Sequence, residues 1–226
     1  MSLPTIALGL PGWALRAWRS SDAETLAEHA DNPAVWRNMS DAFPHPYTAE
    51  IAAHWVEHGH VDFGGDNWAI TYHDAAVGGC GVHGGEGMFR CSVEIGYWLA
   101  QPHWGVGVAT QVAAALTVRA FALPEVTRVF APVHADNPAS MRVLEKNGFV
   151  REGLQRLSVM KAGRAIDRVI WARYSNRDSA GVSSKGSAKE SDKESAKDSV
   201  DVSAKESAKE SADANHSDKA SHGLTT

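Results

Sequence analysis

Hydrophobic and polar positions along this chain follow two periods, and the switches between them mark its elements. A period of two, expected of half-buried strands, runs through Ala14-Leu15-Arg16-Ala17-Trp18, Asn67 to Tyr72, Val77 to His83, Cys91 to Leu99, Val126 to Val133 and Ile166 to Tyr174. A helical period fits Asp22 to about Ala30, with Ser20 as its cap. It fits Ala49 to His58, capped by Thr48, with Ile51, Ala52 and Trp55 on the buried face. Two more helices are expected at Ala109 to Leu123 and at Pro138 to Asn147, the latter ended by Gly148. Asn67–Tyr72 and Val77–His83 read as a hairpin around His73-Asp74-Ala75, and Gly163 turns a strand beginning at Phe149 into the last one. Within Cys91–Leu99, alternation puts Val93, Ile95 and Tyr97 on one face and Glu94, Gly96 and Trp98 on the other. The order β-α-α-β-β-β-α-β-α-β-β predicts a mixed α/β sheet with helices on its faces.

Composition changes near Tyr174. All eight Trp lie before Ser175, and the remainder drifts into a Ser-Ala-Lys-Glu repeat, clearest from Ser203 to Ser211. From Ser175 on there are 8 basic and 10 acidic side chains and almost no apolar surface, too little to offset ordering entropy. The expectation is one domain over 12–174 and a disordered, solvated tail over 175–226 that carries no chemistry. A net charge of -5 argues against a nucleic-acid partner. No leader-like segment and no apolar run of about 18 residues is present, so the expected compartment is the cytoplasm, with no membrane association. Cys80 and Cys91 are expected as reduced strand residues.

Two glycine patterns compete for a phosphate-binding role. Gly79-Cys80-Gly81-Val82-His83-Gly84 satisfies G-x-G-x-x-G, yet it lies within a hairpin strand with no helix after it, so it reads as a glycine-rich strand. His103-Trp104-Gly105-Val106-Gly107-Val108-Ala109-Thr110 has the needed context, a strand before and a helix after. A glycine turn opening a helix presents unpaired N–H groups at the positive end of the helix dipole and can cradle a diphosphate. A tight turn that merely satisfies backbone angles is the alternative.

A second motif follows downstream, Asp136-Asn137-Pro138-Ala139-Ser140 through Lys146-Asn147-Gly148-Phe149. With Leu15-Arg16-Ala17-Trp18, Phe43-Pro44-His45-Pro46-Tyr47-Thr48 and Val93 to Leu99, the chain from Leu15 to Tyr174 resembles the GNAT superfamily of acyl-CoA N-acyltransferases, in its RimJ/RimL-like branch. The resemblance implies the GNAT fold: a mixed, mostly antiparallel seven-stranded sheet with helices on both faces and splayed central strands. It implies acetyl-CoA as cosubstrate and no metal, with the pyrophosphate on the backbone of Gly105, Val106, Gly107, Val108, Ala109 and Thr110. It further implies that Ile95, Gly96, Tyr97 and Trp98 border the pantetheine arm and that the Asn137 side chain contacts it. One departure is Pro102, which stands where many members carry Gln or Arg, with Gln101 one place early.

For transfer to an amine the resemblance points to Ser140 as donor of a proton to the departing thiol, and Glu94 on the splayed strand is the base candidate. For Glu94 the alternative is an ion pair with an Arg such as Arg128. His83 and His134 are reserve bases. Ribosomal-protein acetyltransferases lead one to expect a carboxylate in the strand after the second motif, where this chain has Leu157-Ser158-Val159-Met160. The acceptor is expected as a primary amine, a protein N-terminus or a small molecule, chosen by 31–60 and 155–167, where Asp41, Glu50 and nearby Asp62 can meet an amine. A homodimer is kept as an option. The rival chemistry is a zinc hydrolase, because His54-Trp55-Val56-Glu57-His58 spells H-x-x-E-H; a non-catalytic CoA-binding module is the third reading.

Overall fold

The computed structural model describes residues 3–175. Its strands are β1 (Ile6–Ala7), β2 (Trp13–Arg16), β3 (Asp66–Tyr72), β4 (Ala75–Gly84), β5 (Ser92–Leu99), β6 (Arg128–His134), β7 (Val150–Lys161) and β8 (Arg164–Tyr174). The helices are α1 (Ala23–Ala30), α2 (Pro33–Trp36), α3 (Ala49–His54), α4 (His60–Asp62), α5 (Val108–Phe121) and α6 (Pro138–Lys146). The tail expected from residue 175 lies, after Ser175, outside the described residues. Among the described residues no helix is long and apolar enough to cross a membrane.

The strands form one sheet in the order β1-β2-β3-β4-β5-β6-β8-β7. All neighbours are antiparallel except β5 and β6, which are parallel. That makes eight strands rather than seven. The addition is the two-residue β1, too short to leave a period in the sequence, which registers Ile6 opposite Leu15. The β5–β6 pairing stops early: Ser92 faces Arg128, Val93 faces Val129, Glu94 faces Phe130, and there the ladder ends. Beyond it β5 stays paired with β4 through Leu99 while β6 stays paired with β8 through His134. The middle of the sheet therefore opens as a V.

The period of two sorts the side chains into two cores. Val93, Ile95 and Val129 pack with Val112 and Leu116 of α5 and Leu144 of α6 on one face. Ala69 and Ala76 pack with Trp18, Leu26 of α1, Ala52 of α3 and Val56 on the other. Trp68, Leu116 and Leu144 are fully buried, each stabilising the fold by roughly 1.5–3 kcal/mol in transfer terms. The glycines of β4 have a packing reason: a Cβ on Gly79 would lie 2.8 Å from Trp98 Nε1, and one on Gly81 2.5 Å from Asn67 Oδ1. The dinucleotide-like spelling is thus a strand made thin so that neighbours can close over it.

Some local expectations need correction. Ser20 does not cap α1. The chain enters through a 3-10 turn, Ser20–Asp22, in which Asp22 Oδ2 accepts the Arg19 N–H at 2.9 Å. Asp22 also holds the buried Arg16 guanidinium through two bonds of 2.8 Å, tying the end of β2 to the start of α1. Thr48 does cap α3, its Oγ1 accepting the Ile51 N–H. The helix expected to run to His58 changes winding at Trp55 into a π turn, Trp55–Gly59, and its most buried positions are Ala52 and Val56, with Ile51 and Trp55 half-buried. The helix α2, capped by Asn32 accepting the Ala34 N–H at 2.8 Å, left no readable period because it is four residues long. Cys80 is a buried free thiol on β4, and Cys91 is half-buried just before β5, not on it.

Candidate functional site

The V between β5 and β6 opens into a cleft of about 750 Å³ that reaches the glycine turn, the start of α6 and the β7–β8 hairpin. Gly105 and Gly107 both lie in the left-handed region, at φ 82° and 89°, which only glycine enters without strain. Those two conformations turn the chain back so that Gly107 caps α5 with a left-handed residue. Thr110 and Gln111 send their N–H groups back to the Gly107 carbonyl, at 3.1 and 3.2 Å. The five preceding N–H groups, Gly105 to Ala109, have no acceptor among the described residues. A Cβ built on either glycine meets nothing within 4 Å, so nothing covers the turn where a side chain would stand. Unpaired N–H groups at a helix start form an anion cradle. The loop leading into it is pinned by Trp104 Nε1 donating to the Leu99 carbonyl at 2.7 Å.

On the same wall, α6 begins at Asn137. Its Oδ1 accepts the Ser140 N–H at 3.1 Å and caps the helix, and proline at the first helical position suits that start. Ser140 Oγ lies 3.0 Å from the hydroxyl of Tyr97, which reaches it from β5 across the open V. Burial pushes the Tyr97 hydroxyl up to about 12, so it stays protonated. Asn147 Nδ2 donates to the Thr110 carbonyl at 3.2 Å, locking α6 to α5.

The other face of the sheet carries ionisable side chains. Glu94, Phe130 and Ala172 lie in one row across β5, β6 and β8, and His134 faces Arg168 further along β6 and β8. Glu94, His134 and Arg168 all line the cleft. Burial raises the Glu94 carboxyl above the ordinary range, and the positive charge of Arg168 partly opposes this. Burial lowers the His134 imidazole, whose Nδ1 is buried without a partner among the described residues. Above this floor, the chain after α2 meets the β7–β8 turn: Lys161 Nζ lies 3.0 Å from Asp41 Oδ1 and 3.7 Å from the centre of the Trp36 ring. The Ala162 N–H donates to Asp41 Oδ2 at 3.2 Å, so the two segments form a clasp over the cleft.

Of the residues singled out from sequence, Glu94, Ile95, Gly96, Tyr97, Trp98, Gly105, Gly107, Val108, Ala109, Thr110, Asn137 and Ser140 all border this cleft. Val106 does not; its side chain is exposed, because the turn points it outward while its N–H stays in the open run. Asn137 uses its oxygen as a helix cap, which leaves its Nδ2 as the group free to meet a ligand. The Thr110 N–H is bonded within the helix, so the cradle ends at Ala109. Arg128 is not the partner of Glu94: it pairs with Glu152 on β7, whose register the sequence did not reveal. Asp41 is occupied by Lys161 and does not wait for an amine. Glu50 and Asp62 are exposed and away from the cleft lining. His83 lies on β4 against Phe63, outside the lining. His54, Glu57 and His58 are exposed, and no group of three or more His, Cys, Asp or Glu side chains suited to a metal occurs among the described residues. Sequence reasoning missed the hydroxyl of Tyr97 as a partner of Ser140 and missed Arg168 altogether; a lone Arg in an alternating strand carries no signal until the register is known.

Comparison with known proteins bears on the family and the fold. The family described as acetyltransferase (GNAT) domain matches residues 14–150. The uncharacterized N-acetyltransferase YoaA of Bacillus subtilis is 31% identical over 116 residues, which are 50% of this chain and 65% of YoaA, slightly under two thirds of that relative's length. The ribosomal-protein-serine acetyltransferase of Escherichia coli is 39% identical over 62 residues, 27% of this chain and 35% of that protein. Among solved structures, Mycobacterium smegmatis RimJ in complex with CoA-disulfide superposes with a TM-score of 0.67 at 23% identity, covering 76% of this chain and 87% of that one; a likeness at that identity shows a shared fold.

Proposed function

The chain belongs to the acetyltransferase (GNAT) domain family, and from that premise we propose that it transfers the acetyl group of acetyl-CoA to a primary amine by direct attack with both substrates bound. The observation that carries this reading is the run of five unpaired N–H groups, Gly105 to Ala109, opening into the same cleft as the parted strands and the Tyr97–Ser140 hydroxyl pair. Bound acetyl-CoA supplies the activated acyl group as a thioester. The cradle holds its diphosphate, with the positive end of the α5 dipole adding to the attraction. Asn137 Nδ2 and the backbone groups of β5 left unpaired beyond Glu94 hold the arm that leads to the thioester. Glu94 takes a proton from the amine, and its raised affinity for protons suits it to that task near neutral pH. Ser140 returns a proton to the leaving thiolate, and Tyr97 fixes the orientation of the Ser140 hydroxyl.

A two-part measurement tests the reading. Acetyl-CoA at about a hundred times its Kd should stabilise the fold by about 2.7 kcal/mol and raise Tm accordingly. A panel of peptide N-termini, polyamines, amino acids and aminoglycosides should then release CoA with at least one member. A Tm that ignores acetyl-CoA refutes the cradle, and binding without release to any amine reduces the protein to a CoA-binding module.

A further inference from the structure

On the acceptor side of the cleft, two acidic side chains already have partners, while Glu94 and one cation have none among the described residues. Asp41 is held by Lys161, and Asp136 by Arg37 at 3.3 Å. Arg168 is different. It lines the cleft, half-buried, and its Nε donates to Gln155 Oε1 at 2.7 Å, a bond that aims the guanidinium plane. Among the described residues no carboxylate lies within ion-pair distance of it, and its two terminal nitrogens have no acceptor. Directly across the β6–β8 ladder, on the same face, stands His134 with its buried, unpartnered Nδ1.

A guanidinium with a free fork, fixed through its third nitrogen in a cleft that Val159 and Met160 also line, is built for a planar anion. Leaving such a group half-desolvated without a partner costs free energy that a bound carboxylate recovers. The spacing along the sheet matters as well. Arg168 pairs with His134, four residues along β6 from the Phe130 position that faces Glu94. An acceptor whose amine lies at Glu94 therefore meets Arg168 several bonds away, not on the carbon that bears the amine. Glu94 and Arg168 thus present opposite charges to the two ends of one molecule.

We propose that the acceptor is a primary amine carrying a carboxylate several bonds from its nitrogen, and that Arg168, with His134 beside it, is the subsite for that carboxylate. This rests on the transferase reading for the position of the amine and goes beyond it by naming the substrate class. The two sources of such chemistry are a free acidic amino acid and a peptide with an acidic N-terminal residue.

The experiment compares carboxylate and carboxamide partners on the full chain loaded with acetyl-CoA. One arm uses free glutamate against glutamine; the other uses tripeptides beginning with Glu against those beginning with Gln. Each is read by its effect on Tm and by KM for CoA release. The carboxylate member should bind about tenfold more tightly in at least one arm, the factor a charge-assisted bond of ordinary strength supplies. The arm that discriminates identifies the source. Arg168→Gln should collapse the discrimination through KM with little change in kcat, while Arg168→Lys, which keeps the charge and loses the fork, should retain part of it. The shift that acetyl-CoA alone gives in each variant reports whether it has folded. Equal affinities for acid and amide in both arms overturn the proposal, as does discrimination that survives in Arg168→Gln. Discrimination in Tm with no CoA release from any acceptor overturns the transferase reading and leaves the subsite standing.

Discussion

The two walls of the cleft are made from different materials. The α5–α6 wall is backbone: two left-handed glycines, five free N–H groups and a helix end. The opposite floor is side chain: Glu94, His134 and Arg168 on neighbouring strands, roofed by the Trp36–Lys161–Asp41 clasp. A backbone site binds what every member of a family shares, because any sequence that makes the turn makes the site. A side-chain site can be rewritten one residue at a time, which suits it to the proposed task of choosing a particular acceptor. The hydroxyl pair of Tyr97 and Ser140 stands at the seam, one from β5 and one from α6.

The sharpest break in this contrast falls on the backbone wall. Gly105→Glu puts a side chain and a negative charge into open space facing the cradle, and the Tm shift with acetyl-CoA should vanish together with activity. Gly105→Ala separates conformation from occlusion. Its φ of 82° costs an alanine roughly 1–2 kcal/mol of stability, but the N–H groups stay in place and the shift should persist. If both variants lose the shift equally, the turn's shape and not its open side is what matters. The next largest effect belongs to the floor. Glu94→Gln should lower kcat by about 10²–10⁴, the range for a positioned base, with the acetyl-CoA shift intact. The Glu94 pKa is raised by burial, so if Glu94 is the base as proposed, the wild type should lose activity as pH falls through that raised value and the carboxylate takes up a proton. A kcat profile measured from acid to neutral pH should show this limb, and Glu94→Gln should flatten it.

The same contrast explains what the sequence let one read. Gly105 and Gly107 announce themselves because glycine in a strand–turn–helix context has few other uses, and Asn137-Pro138 marks a helix start by local chemistry alone. The alternation in Val93 to Leu99 put Glu94 on its correct face without any knowledge of the neighbours. Arg128 shows where such reading ends. Its partner, Glu152, is 24 residues away on β7, a strand that touches β8 and not β6, and only the register brings them together. Arg168 and Asp41 fail in the same manner: one needs the β6–β8 ladder to face His134, the other needs the β7–β8 turn to fold back over α2. The strand β1 was missed for a different reason, since two residues have no period.

At the seam the effects should be smaller and should split by wall. Ser140→Ala removes the hydroxyl proposed to protonate the leaving thiolate, and a loss of about 10- to 100-fold in kcat is expected, toward the low end of acid catalysis because a thiolate is a good leaving group. Tyr97→Phe keeps the ring and removes only the bond of 3.0 Å to Ser140, so it should cost several-fold at most, about the worth of one hydrogen bond. The two changes should not be additive, since Tyr97 acts through Ser140. A double variant no worse than Ser140→Ala supports that order. A Tyr97→Phe loss larger than that of Ser140→Ala reverses it and makes Tyr97 the proton donor.

The smallest effect tests whether the roof of the side-chain wall is part of the site. Lys161 is almost fully buried, lying over Trp36 and against Asp41, and the segments it joins supply Met39 and Ser40 on one side and Val159 and Met160 on the other. Asp41 is itself exposed, but the Lys161 ammonium it faces is almost fully buried, so the pair adds some stability; its effect on the site is a separate matter. Its value is positional, because loosening it lets the β7–β8 turn move away from the chain after α2. Asp41→Asn should therefore raise the acceptor KM about two- to fivefold and lower Tm, since the buried Lys161 ammonium loses its counter-charge, with kcat and the acetyl-CoA shift almost unchanged. Hydrogen bonding to Lys161 and the Ala162 amide holds the Asp41 carboxyl below its usual pKa. The clasp is therefore fully present above the ordinary carboxylate range and is lost only as pH falls through that lowered value. Across the acid limb expected of Glu94, the ratio of acceptor KM in Asp41→Asn to that in the wild type should thus stay constant, since the clasp is intact there and only the Glu94 charge that meets the amine is lost. A ratio that falls toward one together with the loss of kcat would mean that the clasp and the base titrate as one unit, and the floor and roof of this wall would have to be treated as a single device.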